Sequence, residues 1–188
     1  MLSFISNGAA SWLVRGGVLD DEEHELYAFA VYNLLFTTIP IIVFMLISLF
    51  LGCGTCSFIL VCSVLAMRRY TGGFHAKKPV VCIVISLSSL TFCTLLVQIL
   101  NNSVLLIVSL LIASIIIWYF SPIDSVNYRI EDYKKRKYKI RARRTLILEL
   151  SLYLIFLILG LYQYAVCIAL GIILAAILLA VCIPGLTK

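Results

Sequence analysis

Between Tyr27 and Met67 the chain runs for 41 residues without one charged side chain. About 20 apolar residues cross a hydrocarbon core, so this run is long enough to cross twice. Leu51-Gly52-Cys53-Gly54 is the natural place for it to turn. The second half, about Thr55 to Met67, is short for a span. It needs a thinned bilayer, snorkelling by Arg68 and Arg69, or a re-entrant course. Pro40 is expected to kink the first half.

Four further apolar blocks follow, at Pro79–Leu100, Val104–Phe120, Thr145–Gly160 and Ala165–Ile183. They pair around Asn101-Asn102-Ser103 and Leu161-Tyr162-Gln163. The expected fold class is an all-α integral membrane protein, with about six transmembrane helices arranged as three hairpins in a single polytopic domain, residues 1–188. Composition agrees, because 63% of the residues are apolar and the mean hydropathy is +1.10, whereas soluble chains are about 45–50% apolar. The acidic run Asp20–Glu25 and the first long apolar block come too late for a cleavable signal. In the N-terminal segment, residues 1–26, Phe4, Ile5, Trp12 and Leu13 can form one apolar face lying in the membrane interface. The alternative is a frayed terminus.

The net charge of +6 does not point to nucleic acid, which would need a folded basic domain with stacking aromatics. Four of the 15 cations, Arg68, Arg69, Lys77 and Lys78, lie in the connection 68–79, and nine lie between Arg129 and Arg144 in the connection 121–144. The tight turns near 52, 102 and 162 carry none. The positive-inside rule then places both basic connections and both termini in the cytoplasm. A re-entrant second segment would instead move the N-terminus outside. The basic segment 129–144 is expected as a surface helix.

One short polar island interrupts this apolar pattern, Arg68-Arg69-Tyr70-Thr71-Gly72-Gly73-Phe74-His75-Ala76-Lys77-Lys78-Pro79-Val80-Val81-Cys82. His75 and Cys82 would stand roughly 10 Å apart along an unbroken helix, and a working base must come within about 3 Å of its proton. The island discourages an unbroken helix. Gly72 and Gly73 permit positive φ, and Pro79 suits the first position of a new helix. His75 is therefore expected on a loop that folds back, and Cys82 in the first turn of the next helix. The helix's positive end, with Lys77 and Lys78 nearby, favours a thiolate at Cys82, while apolar surroundings favour the thiol. Read without chemistry, Cys82 is a small packing residue.

Other constellations are weaker. Cys53-Gly-Thr-Cys56 is formally a redox motif, but the βαβ context of that chemistry is missing. Cys62, Cys93, Cys167 and Cys182 fall in apolar blocks where cysteine is ordinary packing material. His24 and His75 are the only histidines, and no ligand-like cluster surrounds either, so no metal or other cofactor is expected. Gln98 and Glu149 are polar groups at or within spans, and such groups are functional candidates. Glu149 can instead pair with Arg143 or Arg144.

The island together with Cys82 resembles the accessory gene regulator B (AgrB) family of bacterial membrane cysteine endopeptidases, which process the precursor of a quorum-sensing peptide. The Arg, Gly, His and Cys that recur in that family fall on Arg68, Gly73, His75 and Cys82. A second likeness is Ser121-Pro122-Ile123-Asp124-Ser125-Val126-Asn127 followed by basic residues, although Tyr128-Arg129 stands where the family has Lys-Pro. The resemblance implies His75 as base and Cys82 as nucleophile, at the cytoplasmic face of the bacterial cell membrane. It also implies a small precursor peptide as substrate, thiolactone or lactone closure of the product, and a homodimer. Arg68 and Gly73 are then supporting residues, and Asp124 is the candidate to orient His75. The nine-cation segment suits the acidic tail of such a precursor, with anionic lipid headgroups as the competing partner. The alternative reading is a noncatalytic peptide exporter or scaffold.

Overall fold

The computed structural model describes residues 2–17, 20, 23–72, 79–100, 104–123 and 132–182. Seven helices account for nearly all of them: α1 (Leu2–Arg15), α2 (His24–Phe50), α3 (Gly54–Thr71), α4 (Pro79–Ile99), α5 (Val104–Phe120), α6 (Asp132–Ile158) and α7 (Tyr162–Ala180). No strand occurs among the described residues. The fold is that of an all-α membrane protein. α2, α4 and α7 are each long and apolar enough to cross a membrane, and α5 is apolar but shorter. The chain divides into two compact units, residues 1–46 and 47–188.

In the first unit the N-terminal segment is a helix and not a frayed end. Its apolar Phe4 and Trp12 are exposed, while Ser6 and Ala10, one turn apart, are buried. The Ser11 hydroxyl and the His24 imidazole share a hydrogen bond of 3.0 Å, which joins α1 to the start of α2. α2 continues through Pro40 as one helix.

The second unit is organised around α7, which meets α3, α4, α5 and α6 and has 12 of its 19 residues buried. Small residues make this possible: Ala165, Ala169, Gly171, Ala175 and Ala176 let neighbouring helices approach closely. Gly171 shows how closely, because a Cβ there would lie 2.7 Å from the Cβ of Ser63 on α3. The surrounding helices each bury a narrow stripe. On α5 it is Leu106, Leu110, Ala113 and Ile117, and on α6 it is Ala142, Leu146, Glu149 and Tyr153. Both follow the i, i+4, i+7, i+11 spacing of a single helix face. The other faces of these helices expose large apolar side chains such as Leu105, Leu111, Ile115, Leu148 and Ile158. An apolar exterior of this kind suits a lipid solvent.

Two elements differ from the sequence-based expectation. The basic segment and the following apolar block are not separate pieces, since α6 runs without a break from Asp132 to Ile158. Lys, Arg, Leu, Ala and Glu make up most of it and no Gly or Pro interrupts it, so nothing local stops the helix at Arg144. α3 likewise continues beyond Met67 through Arg68, Arg69 and Tyr70 to Thr71. Its 18 residues span about 27 Å.

Polar side chains stitch the helices together. Ser57 of α3 and Thr94 of α4 share a hydrogen bond of 3.3 Å. Glu149 accepts a hydrogen bond from Ser63 at 2.7 Å and does not pair with Arg143 or Arg144. Those arginines precede it by six and five positions, whereas helical neighbours are three or four apart. Arg143 turns instead to α5, where it donates to the Trp118 carbonyl at 3.3 Å and lies over the indole ring, 4.5 Å from its centroid.

Candidate active-site cleft

The site is built where α3 ends and α4 begins. Arg68 stands in the last turn of α3. α4 opens at Pro79, whose fixed φ suits a first helical position, and this puts Cys82 in the first turn as the sequence suggests. Arg68 and Cys82 face one narrow cleft, completed by Ile85, Ser86 and Ser89 of α4 and Leu178 of α7. Its cavity volume of about 10 Å³ has room for about one water. Cys82, Ser86 and Ser89 follow one another at i, i+4 and i+7 and so share a face of α4.

Arg68 and Cys82 are both half-buried. The guanidinium of Arg68 is within electrostatic reach of the Cys82 thiol and of the Cys182 thiol just beyond α7. Burial pushes the Cys182 thiol up from its ordinary range, and the Arg68 charge pulls against that shift. A fixed cation beside a sulfur, in partly desolvated surroundings, is suited to negative charge developing there.

Beyond Arg68, the end of α3 meets the segment after α5 and the basic half of α6. The Ile123 N–H donates to the Thr71 carbonyl at 3.2 Å, which ties the segment after α5 to the end of α3. Gly72 makes that junction possible: its φ is +73°, and a Cβ there would lie 2.6 Å from the Ile123 carbonyl oxygen. Tyr70 of α3 meets Tyr138 in the basic half of α6, with ring centroids 6.3 Å apart, and Arg69 lies over the Tyr70 ring.

Of the residues singled out from sequence, Arg68 and Cys82 are thus brought to one cleft. Gly73, His75 and Asp124 lie outside the described residues, although Ile123, the chain neighbour of Asp124, is bonded to Thr71. Ser86, Ser89 and Cys182 were not singled out. The two serines were detectable from their four- and seven-residue spacing after Cys82, whereas Cys182 comes close only through the packing of α7. No group of three or more metal-ligating side chains occurs among the described residues.

An all-α membrane protein whose guanidinium and thiol face one cleft is the class that fold and site define. The family model for accessory gene regulator B (AgrB) matches residues 6–179 of the 188, and the chain belongs to that family. Comparison with curated proteins and with solved structures gives no match. Family membership implies involvement in accessory gene regulator peptide processing.

Proposed function

We propose that the chain is a membrane cysteine endopeptidase that cleaves a small precursor peptide and promotes its closure to a thiolactone or lactone. The observation that carries this reading is the shared cleft of Arg68 and Cys82. In the proposed reaction His75 takes the thiol proton and the Cys82 sulfur attacks a peptide carbonyl. The C–N bond breaks, the C-terminal fragment leaves with the proton from His75, and an acyl group stays on Cys82 as a thioester. A thiol or hydroxyl of the same peptide then attacks the thioester, closes the ring and frees Cys82. A thioester is near in energy to the thiolactone that replaces it, so exclusion of water decides between ring closure and hydrolysis. The small cleft between α3, α4 and α7 favours closure.

Arg68 is proposed to stabilise charge at the reacting centre, Gly73 to give the connection its freedom, and Asp124 to orient His75. Six spans, formed by α2 to α7, would place the cleft and both basic connections on the cytoplasmic side of the bacterial cell membrane, by the positive-inside rule. The cations of α6 would hold the acidic tail of the precursor, in competition with anionic lipids. A homodimer is the proposed assembly.

Co-expression with a candidate precursor tests the reading. An acyl adduct on Cys82, lost in Cys82→Ala and depleted in His75→Ala, supports it. Unchanged processing in either variant refutes it, and would move function to the buried polar groups of an exporter or scaffold.

A further inference from the structure

Three of the seven cysteines gather at the end of the second unit opposite Arg68 and Cys82. Cys53 is the residue at the N-cap of α3 and Cys56 follows in the first turn. Cys167 lies in the second turn of α7. Cys56 and Cys167 are 9% and 0% exposed, and Cys53 is half-buried. The thiols of Cys56 and Cys53 are both within electrostatic reach of the Cys167 thiol. The course of the helices agrees with this proximity. Ser63 meets Gly171 midway along, and Arg68 and Leu178 share a cleft further on, so α3 and α7 run parallel with Cys56 level with the early turns of α7. From α4, Gln98 donates its amide N–H to the sulfur of Cys53.

We propose that Cys56 and Cys167 are a disulfide-forming pair, reached through Cys53 by a soluble disulfide. The relay follows from exposure, because the two paired thiols are covered while Cys53 stands at the turn. Cys53 attacks the soluble disulfide RSSR, the S–S bond breaks, and one RSH leaves with the Cys53 proton. Cys56 attacks the Cys53 sulfur of the mixed disulfide, transferring its proton to the second departing RSH. Cys167 then attacks Cys56, and Cys53 returns to a thiol with the Cys167 proton. Two protein thiols are oxidised and one RSSR is reduced to two RSH, by ordinary thiol–disulfide exchange. The product clips α3 to the central helix of the unit. In the orientation proposed above this is the outer, more oxidising end.

The test is oxidation of the full-length chain in detergent with glutathione disulfide, followed by proteolysis and mass spectrometry. It is run on the unmodified chain and on Cys82→Ala, so that the outcome is separate from the peptidase reading. The expected product joins the Cys56 and Cys167 peptides, is lighter by two hydrogens, and disappears with dithiothreitol. Cys53→Ser slows its formation at least tenfold. A terminal Cys53–Cys56 bridge, a persistent glutathione adduct on Cys53, or unmodified Cys56 and Cys167 would overturn the proposal. Since the overturning results are read on the unmodified chain, a variant that fails to fold cannot imitate them.

Discussion

The hydroxyl of Ser63 on α3 donates to the Glu149 carboxyl on α6 at 2.7 Å, in a region where both side chains are buried. The second Glu149 oxygen and the Tyr153 hydroxyl, one turn further on, have no hydrogen-bond partner among the described residues. Glu149 therefore depends on Ser63. Ser63→Ala is expected to lower stability by about 1–3 kcal/mol, the cost of stranding a buried polar group. Glu149→Gln keeps an acceptor for Ser63 and should cost less. Thermal unfolding in a single detergent orders the two variants.

Gly171 faces the same serine. In Gly171→Ala the new methyl would overlap Ser63, and overpacking of this kind typically costs about 1–3 kcal/mol. Ser63→Gly removes the atoms it strikes. The double variant is expected to be more stable than the sum of the two single losses, and a double-mutant cycle of unfolding measurements gives the difference.

Gly72 combines a positive φ with a close backbone neighbour, whereas Gly160 has a similar φ of +72° and open space around it. At φ +73° and ψ −157° Gly72 holds a backbone conformation essentially confined to glycine, so Gly72→Ala should incur both a strain of roughly 1–3 kcal/mol and the loss of the Thr71–Ile123 junction. Gly160→Ala should incur only the strain of its positive φ. Peptide processing per membrane-inserted chain is expected to fall in Gly72→Ala and to stay near normal in Gly160→Ala.

Within the cleft, Ser86 provides a graded probe. Ser86→Leu fills the space beside Cys82, and displacement of a reacting group by about 1 Å can cost on the order of 100-fold. Ser88, two positions on, is exposed and returns its hydroxyl to the Val84 carbonyl at 2.7 Å. Precursor cleavage is expected to drop at least tenfold in Ser86→Leu and less than twofold in Ser88→Leu, in assays normalised to protein in the membrane.

Arg143 and Trp118 join the basic half of α6 to α5. Trp118→Leu keeps most of the apolar volume and removes the aromatic face, so a loss of about 0.5–2 kcal/mol is expected. Arg143→Lys should lose part of it, because an ammonium lacks the planar guanidinium that lies over the ring. Unfolding of both variants at two salt concentrations checks the assignment.

The apolar blocks of the second unit and its turns at Gly52 and Gly160 were legible because hydropathy and glycine mark them directly, whereas the turn expected at Asn101-Asn102-Ser103 lies outside the described residues. Cys82 in the first turn of α4 was legible for a similar reason, since Pro79 is a local signal with a local effect. The end of the basic segment was not. Charge changes abruptly at Arg144–Thr145, but no Gly or Pro marks that point, and α6 runs through it. Ser63 and Glu149 are 86 positions apart, and only the packing of α3, α6 and α7 brings them together. Cys56 and Cys167 show the same limit. A motif search stops at Cys53-x-x-Cys56, because their partner arrives on a helix more than a hundred residues later.

The unbroken course of α6 has a mechanical consequence. Its 27 residues make a rod of about 40 Å, longer than the roughly 30 Å hydrocarbon core, with neither glycine nor proline to act as a hinge. A load applied near Lys135 is then not absorbed locally but tilts the whole rod, with its packing against α7 as the fulcrum. Whatever grips the cationic tip has leverage on Glu149 far below it.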